Sequence, residues 1–478
     1  MKIKPVVAMF SALWIGHAQS PGTFAVTGSM SVPRVSHTAT LLHDGRVLIT
    51  GGLTGNYNSV LAGAELYDPS TGVFTPSGSM TSPRAYHSAT LLPDGRVLIA
   101  GGWSGTTLST AELYDASKGT FIPVGEMSVP RMSHSATLLN NGKVLIAGGF
   151  GHFEALSSAE IYDPATASFM PVGNMTIERR GHRAILLASG KVLIVPGGDG
   201  ADYVSAELYD PDSATFRATG WVDRTLGGSV AHTANLLPSG KVLVTLAPAE
   251  CDWPGADAQL YDPVAETFTT TGFMVKPRCY QAGTLLSDLT LLVSGTWGCI
   301  NLATAELYNP TSNSFALTGD LTLNRYSHTA TLLKDGRVLL VGGVDESPSC
   351  NEFPLAAAEL YTPTSAVPPP VLLSVSDAGQ GAVLHAGTHQ LVSPDNPAVA
   401  GEALEVYLTG LTDGSVIPPQ IAIGGRMAEV LFFGKAPGYA GLNQVNIRVP
   451  SGIAPGPAVP VRMNYIARPS NAVTIAIQ

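Results

Sequence analysis

Arg84-Ala-Tyr-His87-Ser-Ala-Thr-Leu-Leu-Pro-Asp94-Gly95-Arg-Val-Leu-Ile-Ala-Gly101-Gly102 is followed by Ala111-Glu112-Leu-Tyr114 and then by Phe121. Each part of this stretch has a physical reading. His-x-Ala-Thr-Leu-Leu is a strand of small and branched residues, suited to a crowded interior. Asp-Gly makes a tight hairpin turn, where a positive φ is needed and Gly carries no Cβ penalty. Arg-Val-Leu-Ile is a second strand, and the Gly-Gly after it lets neighbouring backbone come close. Ala-Glu-Leu-Tyr-Asp-Pro is a third strand ending in a turn. A Phe-centred fourth strand completes a four-stranded unit. No stretch of the chain keeps helical periodicity over the length a helix requires.

The unit recurs seven times. Its histidine falls at His37, His87, His134, His182, His232 and His328, with Gln281 in its place once; its tyrosine falls at Tyr67, Tyr114, Tyr162, Tyr209, Tyr261, Tyr308 and Tyr361. The last copy, ending at Tyr361-Thr362-Pro363, has no Phe strand after it, whereas Phe24 stands as an orphan fourth strand before the first copy. The N-terminal strand should therefore complete the last blade and close a ring, leaving no open sheet edge at the seam.

The double glycine, the tyrosine after it and the aromatic strand resemble the Kelch repeat family over residues 21–363. That resemblance implies an all-β, seven-bladed propeller. Two copies are degenerate: Leu246-Ala247 replaces Gly-Gly in blade five, and blade six has Ser294-Gly295 with Leu289 in its turn. The expected organisation is a signal peptide at 1–18, the propeller at 19–365, a Pro-rich linker at 366–372 and an immunoglobulin-like β-sandwich at 373–478. The leader reading rests on Lys2 and Lys4, the apolar run Val6 to Ile15 and the small-x-small end at Gly16-His17-Ala18. That run is too short to span a bilayer. The sandwich rests on short alternating segments, Leu404–Leu408, Glu429–Phe432, Gln444–Val449 and Val473–Ile477. Ala436–Asn446, Val449-Pro450 and Ser470-Asn471 make this part similar to a C-terminal domain of many secreted soil-bacterial proteins, a family that implies no activity.

Composition narrows the partners. A net charge of −10 argues against nucleic acid and anionic membrane. Secretion, a monomeric state and a glycan or extracellular protein as partner are expected. Cys251, Cys279, Cys299 and Cys350 form an even set in an exported chain, which favours disulfides. Pairing of Cys251 with Cys279 and of Cys299 with Cys350 is favoured among three possibilities, and the spacing matches no zinc pattern.

The repeated Arg-x-x-His reads as a structural device, because a catalytic element would not recur in nearly every blade. The repeated Glu of Ala-Glu-Leu-Tyr is its expected partner. Function should lie in loops that break the repeat. After the second strands these carry Tyr57, Trp103, Phe150, His152, Phe153, Asp199, Asp202, Tyr203, Asp252, Trp253, Trp297, Asp345 and Glu346. Aromatics and acids on one rim suit sugars, by ring stacking and hydrogen bonds to hydroxyls. A non-catalytic recognition protein without cofactor is the expected function.

An alternative comes from a second resemblance. A Kelch propeller followed by an immunoglobulin-like domain is the layout of the galactose oxidase and glyoxal oxidase family of copper radical enzymes. Arg84-Ala-Tyr86-His87-Ser with Asp94-Gly95-Arg96 is similar to that family's Tyr-His copper-ligand segment. Arg278-Cys279-Tyr280-Gln281 is similar to the segment bearing its cross-linked tyrosine. The resemblance implies copper held by Tyr86 and His87, with Tyr280 as the radical site. The two segments stand in the opposite chain order, and Ser229-Val-Ala-His232 occupies the place of the cross-linking cysteine. His385 and His389 are the only histidines of the last domain.

Overall fold

The computed structural model describes residues 22–55, 59–197, 205–223, 230–247, 256–297, 303–346, 352–364, 370–376, 378–411, 417–439, 441–465 and 468–478. The leader residues 1–18 therefore lie outside the described residues. Every regular element among those described is a β-strand. Seven four-stranded antiparallel sheets form the blades of a propeller. In blade two the strands are Ser88–Leu91, Val97–Ala100, Ala111–Asp115 and Thr120–Pro123, hydrogen-bonded in that order from the channel outward.

The ring closes as the orphan strand demands. Thr23–Ser29 pairs antiparallel with Ala357–Thr362, setting Phe24 opposite Tyr361 and Ala25 opposite Leu360. Phe24 packs on Tyr361 with ring centroids 4.9 Å apart, the spacing that recurs for Tyr114 with Phe121 and for Tyr162 with Phe169. Such tilted aromatic pairs add about 0.5–1.5 kcal/mol beyond their burial.

The core lies between blades. Tyr67, Val47 and Ile49 of the first blade share one apolar cluster with Leu333, Leu339 and Val341 of the last. The tyrosine hydroxyls latch the same seams: Tyr67 Oη lies 2.9 Å from Thr27 Oγ1 and Tyr114 Oη lies 2.8 Å from Ser77 Oγ.

The double glycine has a packing reason. A Cβ built on Gly101 would lie 2.5 Å from Arg131 O and 2.8 Å from His134 Cε1 of the next blade, and Gly101 holds φ at 63°. Gly51 bears the same relation to His87. In blade five, where Leu246-Ala247 stands instead, the following blade carries Gln281 in place of the histidine. In the hairpin turn of blade six Leu289 takes φ of 72°, the conformation that glycine supplies in blade two.

The C-terminal part is a nine-stranded sheet that nearly closes on itself around one apolar core. The expected segments appear as Ala403–Thr409, Arg426–Lys435, Asn443–Arg448 and Val473–Ile477. Five further strands stand beyond the expected segments: the short Val371–Leu372, Val383–His385 and Arg468–Pro469, and the longer Gln420–Ile423 and Gly456–Tyr465, the last containing Pro457 and Pro460. The domain packs against the propeller face that carries the first hairpin turns. A cavity of about 230 Å³ is lined from one side by His43, Pro93 and Lys334 and from the other by Met427 and Arg462. The opposite face of the propeller is left to the loops.

Candidate functional site at the channel mouth

Around the propeller axis, the residue before the histidine, or before Gln281, sits in the left-handed region in six blades, whereas Ala231 of blade five lies within the strand Val230–Leu236. Ser36, Tyr86, Ser133, Gly181, Tyr280 and Ser327 have φ between 50° and 60°. Their backbones join blade to blade: Tyr86 N–H donates to Ser36 O at 3.1 Å, Ser133 N–H to Tyr86 O at 3.0 Å and Gly181 N–H to Ser133 O at 2.9 Å. Ser327 N–H donates to Tyr280 O at 3.0 Å in the same way. A bulky residue at positive φ is a true outlier, and the ring holds two of them. Tyr86 and Tyr280 stand where the other four ring positions hold Ser or Gly, and they are 41% and 44% exposed.

The histidines one residue on point into the seams. His134 Nε2 lies 2.9 Å from Ser88 Oγ and His182 Nε2 lies 2.8 Å from Ser135 Oγ, each hydroxyl belonging to the preceding blade. His37 reaches Thr329 Oγ1 at 3.1 Å across the closing seam. His87 Nε2 lies 3.1 Å from Thr38 Oγ1 and 3.0 Å from Thr50 Oγ1. Burial, reinforced by the nearby arginines, holds His37, His134, His182 and His328 down at about 3, so these rings are neutral. His87 is pushed well below its ordinary value for the same reason.

The arginine of each Arg-x-x-His pairs with the glutamate of Ala-Glu-Leu-Tyr in its own blade. Arg84 reaches Glu112 at 2.7 Å, Arg34 reaches Glu65 at 2.7 Å, and Arg325 reaches Glu359 at 2.6 Å, all fully desolvated. Blade five lacks both partners together: Ser229 stands in the arginine position and Gln259 in the glutamate position. Gln259 instead donates to Asp223 O at 2.7 Å and accepts from Asp223 N–H at 3.0 Å. The paired replacement leaves no buried charge alone.

The rim residues fall into three groups. Tyr57, Asp199, Asp202, Tyr203, Asp252 and Trp253 lie outside the described residues, as do Cys251, Cys299 and Cys350. Cys279 is buried and is not a free thiol. Trp103 and Trp297 are half-buried against an apolar collar of Val35, Ala85 and Tyr326, and Trp297 Nε1 donates to Glu352 Oε1 at 3.2 Å. Phe150 bridges to Met132 of its own blade, as Trp103 does to Ala85, and lies under the Arg180 guanidinium at 4.8 Å. Asp345 is partly covered within Val344–Glu346, while His152 and Phe153 are exposed, Phe153 to 94%.

Tyr86, His87 and Tyr280 come together at one cavity of about 340 Å³, the mouth of the channel. They do not fit a copper centre as they stand. The Nε2 of His87 is committed to two hydroxyls in the wall, as its counterparts in other blades are. Among the described residues no group of three or more His, Cys, Asp or Glu is placed to hold a metal.

The Kelch motif matches residues 83–128 and 131–176. No curated protein matches the chain. Among solved structures, the chain is similar to a fungal alcohol oxidase of the AA5 family in complex with copper, with a TM-score of 0.64 and 16% identity over 96% of this chain and 100% of the other. That likeness is one of fold. The molecule is thus a seven-bladed propeller carrying Kelch motifs.

Proposed function

We propose that the chain is an exported, non-catalytic recognition protein whose loop-bearing face binds a glycan or a surface protein. The observation that supports this most directly is the pair of tyrosines at the channel mouth. Aromatic side chains held at positive φ, in places where the repeat uses Ser or Gly, are strained, and such strain gathers at binding sites. Two half-exposed phenols beside an open cavity offer stacking surface and hydroxyl donors to a sugar ring. The rim residues Trp103, Phe150, His152, Trp297 and Asp345 extend this face, with Tyr57, Asp199, Asp202 and Trp253 assigned to it from sequence. Disulfides among the four cysteines would brace the loops of blades five to seven. An immunoglobulin-like C-terminal module would act as a stalk or adapter from the other side.

The test is binding to a glycan array followed by titration of the best ligand. Tyr280→Ser, which installs the residue used by other blades, should lose the ligand while keeping the wild-type melting temperature. Undiminished affinity in Tyr280→Ser and in Tyr86→Ser would refute the site.

A copper oxidase remains the second reading, favoured by the convergence of Tyr86, His87 and Tyr280 on one cavity. It requires His87 to leave its two hydroxyl partners. Stoichiometric copper after loading, with peroxide released from primary alcohols, would establish it; a copper-free protein would end it.

A further inference from the structure

One residue after the histidine position, in the first strand of each blade, stand Thr38, Ser88, Ser135, Arg183, Thr233, Ala282 and Thr329. Four of these hydroxyls, those of Thr38, Ser88, Ser135 and Thr329, bond the histidine of the next blade. Blade four breaks the column with an arginine. Arg183 Nε donates to His232 O at 2.9 Å and Nη1 to Gly181 O at 3.0 Å. With no hydroxyl beside it, His232 Nε2 is buried without a hydrogen-bond partner.

The Arg183 guanidinium lines the channel-mouth cavity together with Tyr86 and Tyr280. Arg183 is exposed to the open channel, and the mass of protein around it pulls its pKa below the usual value, with no carboxylate acting on it. The six arginines of the Arg-x-x-His units each hold a glutamate. Arg183 has no acidic partner among the described residues, and no Asp or Glu lines the cavity. The histidines of the lining are neutral, so the cavity carries one uncompensated positive charge. A positive charge without a counter-ion, set in a channel with low-dielectric protein walls, focuses its field on the cavity and draws an anion into it. Two of the three guanidinium nitrogens are committed to carbonyls, leaving Nη2 to a single incoming oxygen group. The cavity volume lies at the lower end of the small-molecule range.

We propose that the channel mouth is an anion site in which Arg183 holds the carboxylate of an acidic sugar, with the sugar ring against Tyr86 and Tyr280. The sugar rests on the recognition reading above, whereas the anion site stands on Arg183 alone. Arg183→Ser restores the residue of the other blades and offers His232 its missing hydroxyl, so the variant should fold.

Two measurements separate the claims. Melting curves of wild type and Arg183→Ser in acetate and in sulfate, at constant ionic strength against chloride, read the anion site. A wild-type melting temperature that rises with either anion, and a variant that does not respond, is the expected result; equal responses overturn the site. Titration with trigalacturonate, neutral galactotriose and a Glu-rich peptide reads the ligand. Trigalacturonate should bind wild type at least tenfold more tightly than Arg183→Ser and more tightly than the neutral trisaccharide. Binding of the peptide alone would overturn the sugar while leaving the anion site. A response to acetate without any saccharide binding would contradict glycan recognition itself.

Discussion

Lowering the pH should unfold the propeller through its histidine ring. His37, His134, His182, His232 and His328 are held at about 3 in the fold, against 6.5 for an exposed imidazole. His87 is lowered in the same direction. Above pH 6.5 both states carry neutral rings and the ring is without pH penalty. As pH falls below 6.5 the unfolded chain takes up protons that the folded chain refuses, so stability is lost progressively down to about pH 3. At pH 5 the loss is about 2 kcal/mol per histidine, since each pH unit below the unfolded pKa is worth about 1.4 kcal/mol. The five residues held at about 3 sum to roughly 10 kcal/mol, the size of the whole stability of a typical domain, and His87 adds to the loss in the same direction. Urea unfolding followed by intrinsic fluorescence at pH 7.5 and pH 5.0 measures this. The midpoint should fall sharply at pH 5.0. His134→Gln, which copies Gln281, should return about 2 kcal/mol of the difference. Equal midpoints at the two pH values, or an unchanged pH dependence in His134→Gln, would refute the reasoning.

Glu112→Gln leaves Arg84 buried beside a neutral partner and should cost about 3–5 kcal/mol in urea unfolding. The double variant Arg84→Ser/Glu112→Gln, which copies blade five, should lose less than the sum of the single variants; simple additivity would contradict the coupling. Gly101→Ala pushes a Cβ against Arg131 O and His134 Cε1 in a left-handed conformation, and should cost at least about 2 kcal/mol by thermal unfolding. Removing residues 1–30 strips the outer strand from the last blade. The shortened protein should aggregate on size-exclusion chromatography, and a monodisperse, cooperatively folding product would show that the closure is dispensable.

The blade count and the ring closure were legible because the repeat leaves a remainder at each end, Phe24 without a tyrosine and Tyr361 without a phenylalanine. The Arg–Glu pairs were legible because both residues recur in step. What the repeat could not convey is direction. Trp103 and Trp297 stand out in the sequence as loop aromatics, yet each sits where Leu53 sits in blade one, and the collar takes up much of their surface. Arg183 drew no attention, although the column Thr, Ser, Ser, Arg, Thr, Ala, Thr does signal it; the meaning depends on which side chain the column touches in the next blade. In the C-terminal part, Pro457 and Pro460 concealed a ten-residue strand, because proline within a run argues against one. Its packing against the propeller's hairpin turns involves residues more than a hundred positions apart, such as Asp94 beneath Gly425, and no local pattern encodes it.

The central claim is that the channel mouth recognises a ligand through its two strained tyrosines. It is tested most directly by a glycan array probed with the wild-type protein and with Tyr86→Ser/Tyr280→Ser in parallel. Selective binding by the wild type, abolished in a double variant that keeps its melting temperature, is the predicted result. Identical binding profiles for the two proteins, or a blank wild-type array, would contradict the account.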